Sequence, residues 1–91
     1  MTIEEIIDRI YAGRSQIAKL GGHTRSDNLE IVMSVDAHMT VMVGRIDNPR
    51  AASVIELDPD APNGVRILGL PVRRDPTFAD DEIRFRSEVS L

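Results

Sequence analysis

Two histidines, two groups of aspartates and a set of arginines near the C-terminal end are the residues of this chain that could do chemistry. His38 stands two positions after Asp36. On a strand that spacing puts both side chains on one face, and on a helix it separates them. Zinc takes three or four protein ligands, and no further ligand motif accompanies the pair. His23 falls in Gly21-Gly22-His23-Thr24 and reads as a solvated turn residue. Asp58 and Asp60 share one loop, while Asp75, Asp80 and Asp81 share another. A calcium loop needs oxygen ligands at alternate positions, a central Gly and a terminal Glu, an order that neither stretch has. Acid–base work by a carboxylate needs a cleft able to shift its pKa, and a thin core offers little of one. Both groups therefore read as loop chemistry, with Asp closing turns on its own backbone.

Other reaction classes lack their residues. The chain has no cysteine, which removes disulfides, thiolate metal sites and Cys nucleophiles together. None of its serines sits in a Gly-x-Ser-x-Gly elbow. Gly21-Gly22 and Gly64 with Gly69 lack the Gly-Lys step of a phosphate-binding loop. No catalytic, cofactor-binding or metal-ligating residue is assigned, and an enzyme is not expected.

The arginines are left. Arg supplies ten of the eleven basic residues. Arg73-Arg74 precedes Asp75, so a local ion pair is the default expectation there. Arg84 and Arg86 alternate with Ile83 and Phe85. Arg is enriched at protein interfaces and pairs bidentately with carboxylates, which makes Arg73, Arg74, Arg84 and Arg86 a candidate protein interface. Nucleic acid is a poor partner for the chain as a whole, because its net charge is −4 and phosphate neutralisation needs a basic surface.

With 91 residues this is one small domain, able to bury about 60–65% of its unfolded surface. Aromatics make up only 3%, so Ile, Val, Leu and Met must build the core. Association with a second copy or another chain is a common way for such a domain to gain buried area. No apolar run approaches the ~20 residues that span a bilayer. The start, Met1-Thr2-Ile3-Glu4-Glu5, is acidic where a signal peptide would be basic. The expected location is the cytoplasm, or a particle assembled there, and no membrane partner is expected.

The elements that must position these residues start with a helix over 2–20. Thr2 and Glu5 form a capping box, and Ile3, Ile6, Ile7, Ile10, Ile17 and Leu20 recur at helical spacing. Gly13 weakens its middle by roughly 1 kcal/mol, and Gly21-Gly22 stops it. The Ile row is expected in the core, with docking on a partner as the alternative. Residues 23–28 connect to a half-buried strand over 29–35, in which Leu29, Ile31, Met33 and Val35 alternate with Glu30, Val32 and Ser34. Residues 36–46 read either way. Alternation of Ala37, Met39, Val41 and Val43 favours a strand, while Asp36 as N-cap and the spacing of Met39, Met42, Val43 and Ile46 favour a short helix. Asp47 to Arg50 reads as a turn or loop, and 53–57 as a short strand. Asp58 to Gly64 is a loop, and Asn63-Gly64 could close a hairpin. Val65 to Val72 suits a central strand with Pro71 at the end of its pairing. Residues 82–86 form a strand with Ile83 and Phe85 inward, and 87–91 a frayed tail.

The run Val65-Arg66-Ile67-Leu68-Gly69-Leu70-Pro71-Val72, the loop Arg73-Arg74-Asp75-Pro76-Thr77-Phe78-Ala79-Asp80-Asp81 and the strand Glu82-Ile83-Arg84-Phe85-Arg86 together resemble the end of the tailed-bacteriophage major capsid fold. There, leucine, glycine, an apolar residue, proline and valine lead through an Asp-bearing loop into a strand near the C-terminus. The segment also resembles the ending of short phage and prophage proteins of about this length. The resemblance covers roughly 29–86 and is strongest over 65–86. It implies a helix at 36–46, after a strand that ends in a small polar residue. Capsid subunits are far longer, and this chain has no counterpart of their long helix, extended loop and N-terminal arm. What the resemblance implies is therefore a phage or prophage origin and a non-catalytic, assembly-related role, not formation of a shell. Gly69, Pro71 and Val72 are structural in that family, so no site residue carries over.

The expected fold is α+β: an N-terminal helix, a small mostly antiparallel sheet and a short second helix. The expected function is structural or assembly-related, through contacts with copies of itself or with other phage proteins. The alternatives are a small cytoplasmic adaptor or regulator docking through its N-terminal helix, and a small metal-dependent enzyme using His38, Asp36 and a loop carboxylate.

Overall fold

Thr2 and Glu5 open the first helix reciprocally. The Glu5 amide donates to Thr2 Oγ1 at 3.2 Å, and the Thr2 amide donates to Glu5 Oε1 at 3.1 Å, so two donors at the helix start find acceptors. The structure, a computed structural model, describes residues 1–21 and 29–87, with the side chains of 18–21 and 87 left aside. Helix α1 spans Ile3–Gly21. Ile6, Ile7 and Ile10 are buried in the core, with Ile3 and Ile17 packed at its margin. The Ile row is thus used inside the molecule. The Leu20 side chain, Gly22 and the connection containing His23 lie outside the described residues.

Strand β1 is Leu29–Met33. All five of its residues are buried, not the alternate ones of a half-buried strand. The reason is its place in the sheet. Among the described residues the strand order is β2-β3-β4-β1-β5, where β2 is Ile55–Leu57, β3 Val65–Ile67, β4 Leu70–Arg74 and β5 Ile83–Ser87. β1 runs parallel to β4, with Ile31 beside Val72, and antiparallel to β5, with Ile31 opposite Phe85. The β2–β3 and β3–β4 pairs are antiparallel as well, so the sheet is mostly antiparallel, as expected. Helices pack on one of its faces, against Leu29, Ile31, Met33, Val65, Ile67, Leu70 and Val72.

Val35 does not extend β1. It begins helix α2, Val35–Asp47, which settles the ambiguous segment as a helix. Its cap is Ser34, not Asp36: Ser34 Oγ accepts from the Ala37 amide at 3.0 Å. Both residues are good caps by type, and tertiary contacts choose between them. The Ser34 amide donates to the Glu82 carbonyl, and its hydroxyl to the Asp80 carbonyl at 2.7 Å. Asp36 moves into the first turn, where its charge suits the helix dipole.

Residues 47–50 are not a loop. Asn48 ends α2 by donating its amide to the Gly44 carbonyl, and begins a helix α3, Pro49–Val54, by accepting from the Ala51 amide on Oδ1 at 3.1 Å. Pro49 sits at the first helical position, where a missing amide removes no bond. The expected strand over 53–57 shrinks to Ile55–Leu57 because α3 runs to Val54. β2 and β3 then form the hairpin anticipated from Asn63-Gly64, with Gly64 at φ 73°.

The run 65–72 is two strands rather than one. Leu68 and Gly69, at φ 52° and 79°, turn the chain between Ile67 and Leu70. Two successive positive φ values belong to the mirror-image turn that matches strand twist in two-residue hairpins. Leu rarely adopts such a value. Here its amide donates to the Val54 carbonyl at 2.9 Å and its side chain packs on the core. Pro71 stands opposite Arg66, one residue before the parallel pairing with β1 begins.

β5 reaches Ser87, which pairs with Leu29, so Ser87 belongs to the sheet and 88–91 lie outside the described residues. Ile83 and Phe85 pack toward the core as expected. The Phe85 ring fills the notch at Gly13, where an added Cβ would come within 2.5 Å of it. Gly13 is therefore a packing site as well as a weak helix former. The architecture is α+β, with α3 as an element beyond those anticipated.

Candidate functional site

Strand alternation distributes the four arginines. Leu70 and Val72 of β4 point into the core, so Arg74 shares their side and Arg73 takes the opposite one. Arg84 and Arg86 lie opposite Ile83 and Phe85. Three of the four thus share the sheet face away from the helices, and Arg74 falls on the helix side near His38.

Between Arg73 and Arg86 lies Glu30. Its side chain is 2% exposed, against 42% and 55% for the two arginines. Arg73 Nε donates to Glu30 Oε2 at 2.9 Å, Arg86 Nε donates to Oε1 at 2.7 Å, and Arg86 Nη2 reaches the same Oε1. Burial pushes the Glu30 carboxyl up, but hydrogen bonds from Arg73 and Arg86 outweigh it and hold the pKa below the ordinary value. An ionised carboxylate already saturated with donors is poorly suited to take protons near neutrality and well suited to tie three strands together. Arg73 therefore pairs across the sheet with Glu30. Arg84 pairs locally with Glu82 at 2.7 Å and remains largely exposed.

Asp36 and His38 are separated by the helix. Asp36 is exposed, whereas His38 is buried, with Nε2 lacking a hydrogen-bond partner. Burial, then the charge of Arg74, lowers the His38 pKa. Asp58 is held by Arg66 Nε at 2.5 Å and by the Asp60 amide. Asp75 accepts from the Thr77 amide and hydroxyl. Asp80 and Asp81 border a cleft of about 210 Å³ with Met1, Asp36 and Thr40. Among the described residues, no group of three His, Cys, Asp or Glu is placed to hold a metal ion.

A second surface was not singled out from the sequence as a site. Val35, Met39, Val43 and Ile46 form an outward row on α2, with Met39, Val43 and Ile46 59–71% exposed. Their spacing marked a helix, but the buried side of that helix is Ala37, His38 and Val41. Close approach of the two helices explains the choice. The Cβ of Ile3 lies 2.9 Å from where a Cβ on Gly44 would stand, a fit that only a small residue allows. Helical rotation puts Asp36 and Asp47 on one side of the row and His38 and Arg45 on the other. Arg45 Nε is buried without a hydrogen-bond partner. Val35 also lines a cleft of about 480 Å³ with Pro62, Asn63, Arg73, Arg74 and Pro76, so one end of the apolar row and two of the arginines border one depression. Among the described residues no helix is long and apolar enough to cross a membrane. Compared with protein-family models, curated proteins and solved structures, the chain matches none.

Proposed function

We propose that this chain is a non-catalytic, assembly-related protein of phage or prophage origin, acting through protein–protein contacts in the cytoplasm or in a particle assembled there. The observation that carries the contact role is the apolar row on α2. Its exposed area, on the order of 400 Å², is that of the largest apolar patch on a typical monomer, a patch that is often functional. The arginines bordering the adjoining cleft supply the polar rim such contacts use. The phage origin rests on the resemblance of residues 65–86. An adaptor docking through α1 has less support, because Ile6, Ile7 and Ile10 are committed to the core.

Particles induced from a host carrying the reading frame, purified on a density gradient and analysed by mass spectrometry, test the reading. The chain should be recovered with particles or their precursors, and a charge placed in the row by Met39→Glu should reduce that recovery at least tenfold. Complete absence of the chain from every particle fraction, despite its expression, would refute the assembly role.

A further inference from the structure

We infer that the apolar row of α2 pairs with the same row of a second copy, the two helices running parallel about a two-fold axis. This rests on the contact role proposed above and names its partner. A two-fold contact is isologous, so one self-complementary patch suffices. Val35, Met39, Met42 and Ile46 follow a four-three-four spacing, that of a coiled-coil seam. Val43 widens the exposed row, and Met42 is half buried beside it. About three turns of seam would not hold isolated helices together. Here α2 is already formed and capped on the sheet, so association need not order it.

Charge decides the direction. Asp36, Asp47, Asp80 and Asp81 are all exposed; Asp36 and Asp47 flank the row on one side, and Asp80 and Asp81 border the cleft beside Asp36. Arg45 flanks the other side, and Arg74, close to the buried His38, adds a second cation there. An antiparallel two-fold pairing sets like flanks against each other and brings the acidic sides together. A parallel pairing sets each acidic flank against the basic flank of the other copy. It brings Asp47 of one copy to the level of Arg45 of the other, an acidic partner for a cation that forms no ion pair among the described residues. An apolar area on the order of 400 Å² per copy is about half of a standard interface side. The dimer is therefore weak, with a dissociation constant on the order of 10–100 µM.

The absence of cysteine allows a direct test. Val35→Cys and Ile46→Cys are made separately and oxidised at about 200 µM, above the expected dissociation constant, with Asp60→Cys as an exposed control outside the row. In the parallel dimer each of the two variants cross-links with itself at least tenfold faster than Asp60→Cys. Cross-linking only when the two variants are mixed would show an antiparallel pair and overturn the inference, as would rates equal to the control. Sedimentation equilibrium of the unsubstituted chain should show dimer at that concentration, and Met39→Glu should leave only monomer without lowering the melting temperature of a dilute sample. A chain that stays monomeric throughout would overturn the self-pairing while leaving the particle-recovery experiment to judge the assembly role.

Discussion

Helices α1 and α2 each carry an apolar row at three- and four-residue spacing, and they dispose of it in opposite ways. Along α1, Ile6, Ile7 and Ile10 are at most 1% exposed; along α2, Met39, Val43 and Ile46 are 59–71% exposed. The difference follows from what each helix offers on its other side. Behind the Ile row, α1 has Glu4, Glu5, Asp8 and Arg9, all of which stay in water. Behind its row, α2 has Ala37 and Val41, which are buried, and Gly44, which lets Ile3 of α1 come close. The small apolar face fits the core, and the larger one is left over. Glu30 makes the same point in the opposite sense. It is almost wholly buried, because Arg73 and Arg86 fit around it. At these two places burial follows complementarity, and the large apolar side chains left outside on α2 are the basis of the proposed contact surface.

Truncating the two rows should separate them most widely. Ile10→Ala should cost about 2–4 kcal/mol in chemical denaturation, whereas Met39→Ala in dilute solution should stay within about 0.5 kcal/mol of the unsubstituted chain. Equal losses would break the comparison. Replacing both Arg73 and Arg86 by Met should cost about 2–3 kcal/mol, because the Glu30 carboxylate loses its donors. The pH dependence sharpens that test. With its folded pKa below the unfolded value, Glu30 contributes stability that is present above the ordinary carboxylate range and lost as pH falls through the folded value. In the double variant burial alone acts on the carboxyl, so the sign of its own contribution should reverse, and the loss of stability toward acid should be smaller than in the unsubstituted chain.

Gly44→Val should cost about 1–3 kcal/mol by forcing Ile3 away from α2; an unchanged denaturation midpoint would mean that the two helices are not in close contact. The smallest effect belongs to His38. Its folded pKa is lowered, so its contribution is complete above about 6.5, the ordinary value, and declines as pH falls below it. His38→Gln should flatten that part of the stability profile, and an unaltered profile would place His38 in water.

Local signals were legible, and signals set by distant partners were not. The Thr2–Glu5 capping box, the hairpin at Gly64 and the inward set of Ile83 and Phe85 each depend on residues a few positions apart. The turn at Leu68-Gly69 escaped because Leu stands where hairpins usually carry Asn, inside an apolar run. The choice of Ser34 over Asp36 as cap depends on carbonyls of Asp80 and Glu82. Asn48 and Pro49 signal a chain break and a helix start equally well, and the latter won. For the arginines, alternation put Arg84 and Arg86 on one face of their strand, while the carboxylate that joins Arg73 to Arg86 came from a strand 43 and 56 residues away in sequence. The row on α2 was legible as helical spacing. Its outward orientation depends on how closely α1 approaches, which no local pattern records.

Thermal unfolding measured against protein concentration tests most directly whether that row is a contact surface rather than surplus. Binding to the folded state raises the melting temperature by mass action. The unsubstituted chain should therefore melt higher as its concentration rises from about 5 to 500 µM, across the expected dissociation constant. Met39→Glu should melt at one temperature throughout, equal to that of the unsubstituted chain at the dilute end. A melting temperature independent of concentration in both, or one that rises equally in both, would contradict the account.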